Sequence, residues 1–201
     1  MVIDKKFKGL AKEDFRYVFN GDIETTESLE IDLDMRLFVT GSINAGGSIK
    51  AGWDVKVGWH IEAGGYIEAG GHIEAGRSIE AGGYIEAGWS IKAGGYIEAG
   101  RYIKAGESIE AGWSCGIVAG LSITCKGTLS FGVKAFAGIC SWKEVTEEEK
   151  TVTCGKLEGG VVEYGILKET GLEEDKKVEL SMDEIAEKFG VAVKDLKIKK
   201  G

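Results

Sequence analysis

An isoleucine at every sixth position, followed two residues later by alanine and then by glycine, limits how this chain can fold more than any other feature. From Ile43 to Ala111 the first position holds Ile43, Ile49, Val55, Ile61, Ile67, Ile73, Ile79, Ile85, Ile91, Ile97, Ile103 and Ile109. The third holds Ala45, Ala51, Val57, Ala63 and then alanine at every step to Ala111. An amphipathic helix needs apolar residues to recur near 3.6, and a period of six wanders around its surface. Two apolar residues two apart share one face of a short strand instead. The glycine that follows supplies a corner, for which a positive φ is the simplest expectation. Strand and corner, repeated, wind into a β-solenoid in which each rung bonds to the next and both ends need caps.

The expected fold class is therefore mainly β: a parallel β-helix of hexapeptide repeats with a small α+β C-terminal module. The expected division is an N-terminal cap over 1–24, the solenoid over 25–142 and the C-terminal module over 143–201. Upstream, Leu29, Ile31, Leu33, Met35, Leu37 and Val39 alternate as half-buried strands do. Downstream, the same phase carried forward places Cys115 at an isoleucine position. It then pairs Leu121 with Ile123, Val133 with Ala135, and Ile139 with Ser141.

The number of hexads per coil decides which side chains meet. Three per coil stack Tyr66, Tyr84 and Tyr102, and alternate Glu74, Lys92 and Glu110 in another column. Two per coil would make His60, His72, Tyr84 and Tyr96 neighbours and would line up Glu62, Glu74, Glu86, Glu98 and Glu110 as like charges, which costs stability. Charge alternation favours three. At the corners a large residue after glycine (Trp53, Arg77, Trp89, Trp113) is usually followed by Ser or Asp, and a second glycine often by Tyr or His. One bulky group per corner is a packing rule or a graded recognition surface, since Tyr, Trp and Arg are favoured interface anchors. The candidate partner-binding residues are Tyr66, Tyr84, Tyr96, Tyr102, Trp89, Glu86 and Glu98.

In the flanks, Phe7, Leu10, Phe15, Tyr17, Val18 and Phe19 can cap the first coil. Thr151–Cys154 and Val161–Lys168 read as two strands around Gly159-Gly160. Leu180–Gly190 carries a helix signature, with Ser181 as N-cap, Glu184 completing a capping box and Gly190 as the stop. Its EIAEKFGV segment is similar to the first helix of helix-turn-helix proteins, but a strand-like Asp195–Lys200 follows where a recognition helix would stand. A docking or dimerising module fits better.

Charge and residue inventory exclude several functions. The 201 residues carry a net charge of −8 and no proline among 32 glycines. Acidity disfavours general nucleic-acid binding, and glycine without proline is not collagen. Residues 41–114 hold nine acids against six bases, too mild an excess for imitation of DNA. Cys115, Cys125, Cys140 and Cys154 form no C-x-x-C pair, so buried free thiols are expected and zinc is not. The charged N-terminus and the lack of long apolar runs point to a cytoplasmic protein without a membrane partner. The hexapeptide acyltransferases, which also form β-helices, use a histidine between coils, set their small residue two before the aliphatic one and interrupt the repeat with a long loop that forms the acyl-donor site. Here the order is reversed and His60 and His72 lie inside the unbroken repeat, which leaves that class a minor alternative. With no Ser/His/Asp set and no phosphate loop, no enzyme activity and no cofactor are expected.

The repeat block, with Leu121–Cys125, Val133–Trp142, Glu147–Lys150, Thr153–Leu157 and Tyr164-Gly165, resembles uncharacterised hexapeptide-repeat proteins of gut Firmicutes and their phages over roughly residues 41 to 168. The architecture is more loosely similar to bactofilins, which polymerise end to end, and to pentapeptide-repeat proteins, which imitate DNA. The resemblance to phage proteins implies a non-enzymatic inhibitor of a host defence system, anti-CRISPR or anti-restriction, that contacts a nuclease or effector through the solenoid face. The alternative is a self-assembling scaffold.

Overall fold

In the computed structural model, which describes residues 1–171, the isoleucine column becomes the axis of a three-faced parallel solenoid of about nine turns. Its sheets contain nine, eight and nine strands, and strands neighbouring in a sheet are three apart in chain order through the repeat. Ile61 lies over Ile43 and under Ile79, Ile67 over Ile49 and under Ile85, and Ile73 over Val55 and under Ile91. Each coil therefore takes three hexads, and the two-hexad arrangement is excluded. We call the face containing Ile67–Ala69 the first, that containing Ile73–Ala75 the second and that containing Ile79–Ala81 the third.

The core is an isoleucine stack beside an alanine stack. Ile61, Ile73, Ile79, Ile85, Ile91 and Ile97 have no solvent exposure, and the alanines of the same strands are buried. Through most of the regular hexads each face contributes one large and one small inward residue per rung, whereas Leu29 with Ile31, Val55 with Val57 and Leu129 with Phe131 each bury two large ones. Burying an isoleucine is worth about 1.5–3 kcal/mol; the columns are a continuous source of stability along the whole axis. The backbone closes between rungs, as in Ile67 N–H to the Tyr84 carbonyl at 2.9 Å and Gly76 N–H to the Val57 carbonyl at 3.0 Å.

The corner glycines of the regular hexads do not adopt positive φ; among the described residues the glycines that do are Gly9, Gly21, Gly138, Gly159, Gly160, Gly165 and Gly171, all outside those hexads. The corner requires glycine for a different reason. A Cβ on Gly64, Gly76 or Gly88 would stand closer than 3.0 Å to the carbonyl oxygen of the corner glycine one coil below. Stacking distance, not backbone handedness, selects the residue.

Three departures from regularity shape the rest. Between Ala111 and Ile117 the chain carries two extra residues, so Ile97 pairs with Ile117 and Ile103 with Ile123. This shifts the expected downstream phase. The inward residues are Ile117, Ala119, Ile123, Cys125, Leu129, Phe131, Ala135 and Ala137, whereas Val133 and Ile139 are exposed. Cys115 sits in the insertion, half-buried, and not in the isoleucine column; Cys140 is half-buried too, and only Cys125 and Cys154 are core thiols. All four are free.

Second, the pairing reaches past both ends of 25–142. At the start, Val2–Ile3 joins the first face, and an antiparallel hairpin of Leu10–Glu13 and Arg16–Phe19 closes the second. Phe7 and Phe19 pack there with ring centroids 5.8 Å apart. Third, after a loop spanning 138–150, Thr151–Cys154, Lys156–Glu158, Val161–Tyr164 and Ile166–Glu169 each add in parallel to the existing faces. The residues expected as two strands around Gly159-Gly160 are thus four strands of further winding. The helix expected over Leu180–Gly190, the strand after it and the α+β module they would form lie outside the described residues.

Gly76→Ala should lower stability by about 1–3 kcal/mol, the usual cost of overpacking. Gly52→Ala, where an added Cβ meets nothing within 4 Å, should stay within about 0.5 kcal/mol of wild type. Urea midpoints of the two variants compare them directly.

Candidate functional site

Outward side chains sit between the inward pair on each strand, so each has as its neighbours the residues one coil above and below. On the first face Lys50, Glu68, Glu86 and Lys104 stack in that order, and on the second Lys56, Glu74, Lys92 and Glu110. These columns neutralise themselves. Lys50 lies 3.6 Å from Glu68, Lys104 2.7 Å from Glu86 and Lys92 2.8 Å from Glu110, and Lys56 pairs with Glu74.

The third face is different. Glu62, Glu80 and Glu98 follow one another and make no ion pair among the described residues. The hydroxyl of Tyr96 donates to Glu80, which leaves Glu62 and Glu98 facing solvent. Above Glu98 the same column turns apolar: Val118, then Phe136, then Tyr164. Tyr96, Val118, Val133 and Phe136 line a shallow depression of about 390 Å³ beside Glu98. Lys134 at its edge is paired with Glu163 at 3.0 Å. Arg77 and Arg101 stand at the corners flanking this face, stacked over Trp59 and Trp142.

The residues singled out from sequence are split among these surfaces. Tyr66, Tyr84 and Tyr102 form a stack at the corner leading into the first face, with centroids 4.8 Å apart and planes within 4° of parallel. Tyr84 donates to Glu68 at 3.2 Å and Tyr102 to Glu86 at 3.3 Å. With Lys104 also on Glu86, the hydroxyls of Tyr84 and Tyr102 and the carboxylates of Glu68 and Glu86 are occupied, and the ladder braces the solenoid. Tyr96 and Glu98 lie on the third face, and Trp89 on the corner between the first and second faces. The structure thus brings Tyr96 to Glu98 but separates both from Tyr84, Glu86 and Trp89. His60 and His72 stand on different corners, each with its backbone N–H held from the coil below, by Ser42 and Asp54 respectively.

Val118 and Phe136 escaped sequence reasoning because the carried-forward phase made Val133 and Ile139 the inward residues. Reading Ile117-x-Ala119 and Ile123-x-Cys125 as the repeat resuming after Trp113-Ser114 would have found them. The unneutralised ladder escaped for another reason: a charge count over 41–114 averages three faces that the fold keeps apart.

All five tryptophans are surface residues, between 50% and 88% exposed. The core has no space for an indole, and corner positions project outward. The chain matches no protein-family model, no curated protein and no solved structure.

Two ionisable groups report on the packing. Burial pushes the Tyr84 phenol from its ordinary 10.0 to about 12, with the Glu68 contact adding to it. Burial likewise raises the Cys125 thiol from 9.0 to about 12, with Cys154 beside it. Each ionises more readily in the unfolded chain. Their contribution is therefore complete below about pH 9 and is lost as pH climbs to about 12. The urea midpoint should fall across that window, and Tyr84→Phe should shallow the fall above pH 10. Tyr84→Ala should destabilise by about 1–2 kcal/mol through loss of two stacked contacts, whereas Tyr96→Ala should scarcely move the midpoint.

Proposed function

We propose that the chain is a non-enzymatic binding protein whose third face docks a protein partner carrying basic and apolar side chains. The observation that carries this reading is the continuous column of Glu62, Glu80 and Glu98 running into Val118, Phe136 and Tyr164. Like charges stacked directly on neighbouring strands cost stability, and on the other two faces lysines remove that cost. A charge column left uncompensated beside an exposed apolar patch is what a basic, apolar partner would complete.

The partner we propose is a host defence protein, a nuclease or CRISPR effector, inhibited by contact with this face. That choice of partner rests on the resemblance to phage proteins. A scaffold that stacks end to end is less well supported, because the first coil is covered by the antiparallel hairpin and the Phe7–Phe19 pair.

Glu98→Lys separates stability from binding. It should pair with Glu80 and raise stability by about 0.2–1 kcal/mol at low salt, while weakening partner capture. Phe136→Asp should abolish capture without unfolding the chain. The measurement is retrieval of a defence effector from cells that carry it, followed by an assay of that effector's cleavage activity with wild type and both variants. A captured effector whose inhibition survives both substitutions refutes the proposed face.

A further inference from the structure

On the corner between the first and second faces, Trp53, Gly71 and Trp89 occupy successive rungs of one column. Trp53 and Trp89 expose more than half of their surface, and Gly71 leaves a gap between them. The gap is built in. Asp54 Oδ1 accepts the His72 N–H at 2.9 Å, and the same oxygen stands where a Cβ on Gly71 would be. The carboxylate that caps the corner therefore keeps the position empty. Trp89 is held in place by an edge-on contact with His72, centroids 5.1 Å apart at 81°. Phe15, from the N-terminal hairpin, borders the cleft, which has a volume of about 830 Å³.

We infer that this cleft is a binding site for a neutral oligosaccharide, with one pyranose ring seated between Trp53 and Trp89. Two rungs put the tryptophan backbones roughly 9.6 Å apart at the usual strand spacing of about 4.8 Å. A flat ring clamped on both sides by van der Waals contacts of about 3.5–4.0 Å needs only about 7–8 Å. A puckered ring with C–H groups standing off both faces is thicker and fills the wider gap. The charges around the cleft are matched: Asp34 lies 2.8 Å from Lys5 and Arg36 3.8 Å from Asp54, and Lys56 pairs with Glu74. Mutually neutralised donors and acceptors suit hydroxyl groups and offer little to a net charge, which disfavours nucleotides and acidic glycans.

This site is distinct from the third face, and the two stand or fall separately. The test is titration of the full chain with cellohexaose, maltohexaose and chitohexaose, followed by tryptophan fluorescence and by calorimetry. Saturable binding with Kd of about 1 mM or tighter to at least one of them is expected. Trp53→Ala and Trp89→Ala should each weaken it at least about tenfold. Trp142→Ala, on the distant loop, and Glu98→Lys, on the third face, should leave it unchanged. Melting curves of the two cleft variants should overlay wild type, because neither indole is in the core; a cleft variant that unfolds is replaced by Trp89→Phe, for which reduced affinity is still expected. No binding to any of the three sugars overturns the inference. So does tighter binding of a charged probe such as heparin hexasaccharide at the same tryptophans. Loss of a protein partner, rather than of a sugar, in Trp89→Ala would also overturn it by making the cleft part of a protein interface.

Discussion

Every property of this solenoid follows from one constraint: the residue above and below any position is the one a coil away. Parallel pairing puts isoleucine on isoleucine and alanine on alanine, and the backbone hydrogen bonds of each rung are completed by the next. The corner glycines obey the same constraint. They are required because a side chain there would run into the carbonyl of the coil beneath, and Gly52, above the irregular segment that precedes Leu37, is free of it. Corner polar residues transmit the constraint upward, as Asp54 holds His72 and Ser48 holds Tyr66 through their backbone N–H groups.

The constraint also makes the outer surface a set of columns, in which identity at one coil spacing matters more than composition. Tyr66, Tyr84 and Tyr102 are half-buried by each other, and the hydroxyls of Tyr84 and Tyr102 are spent on Glu68 and Glu86. Such a ladder stiffens the rod. The third face has the same geometry without the compensation, and its upper rungs exchange carboxylates for Val118 and Phe136. A rigid support with a self-neutralised surface on two faces and an unsatisfied one on the third concentrates recognition where the charge and the apolar area adjoin.

Much of this was legible in the residues. The sixfold period implied short strands and corners, alternation of Glu74, Lys92 and Glu110 favoured three hexads per coil, and the tyrosine stack followed from that choice. Two features depart from the local pattern. A lone chain shows only its own backbone, so the corner glycine reads as a positive-φ residue, whereas the obstacle is a carbonyl from another coil. The downstream phase was lost at Trp113-Ser114, since two added residues leave the hexad pattern looking intact while turning Val133 and Ile139 outward.

What the sequence determined alone is the rung: an inward Ile and Ala around one outward residue, then a glycine corner, because strand alternation and hexad spacing are local. Only the tertiary structure decided which outward residues share a column, because that depends on the coil length and on each insertion that resets it. The assignment of Glu62, Glu80 and Glu98 to one face, and of Trp53, Gly71 and Trp89 to one corner, is therefore a property of stacking. Residues a full coil apart in the chain are the nearest neighbours in space.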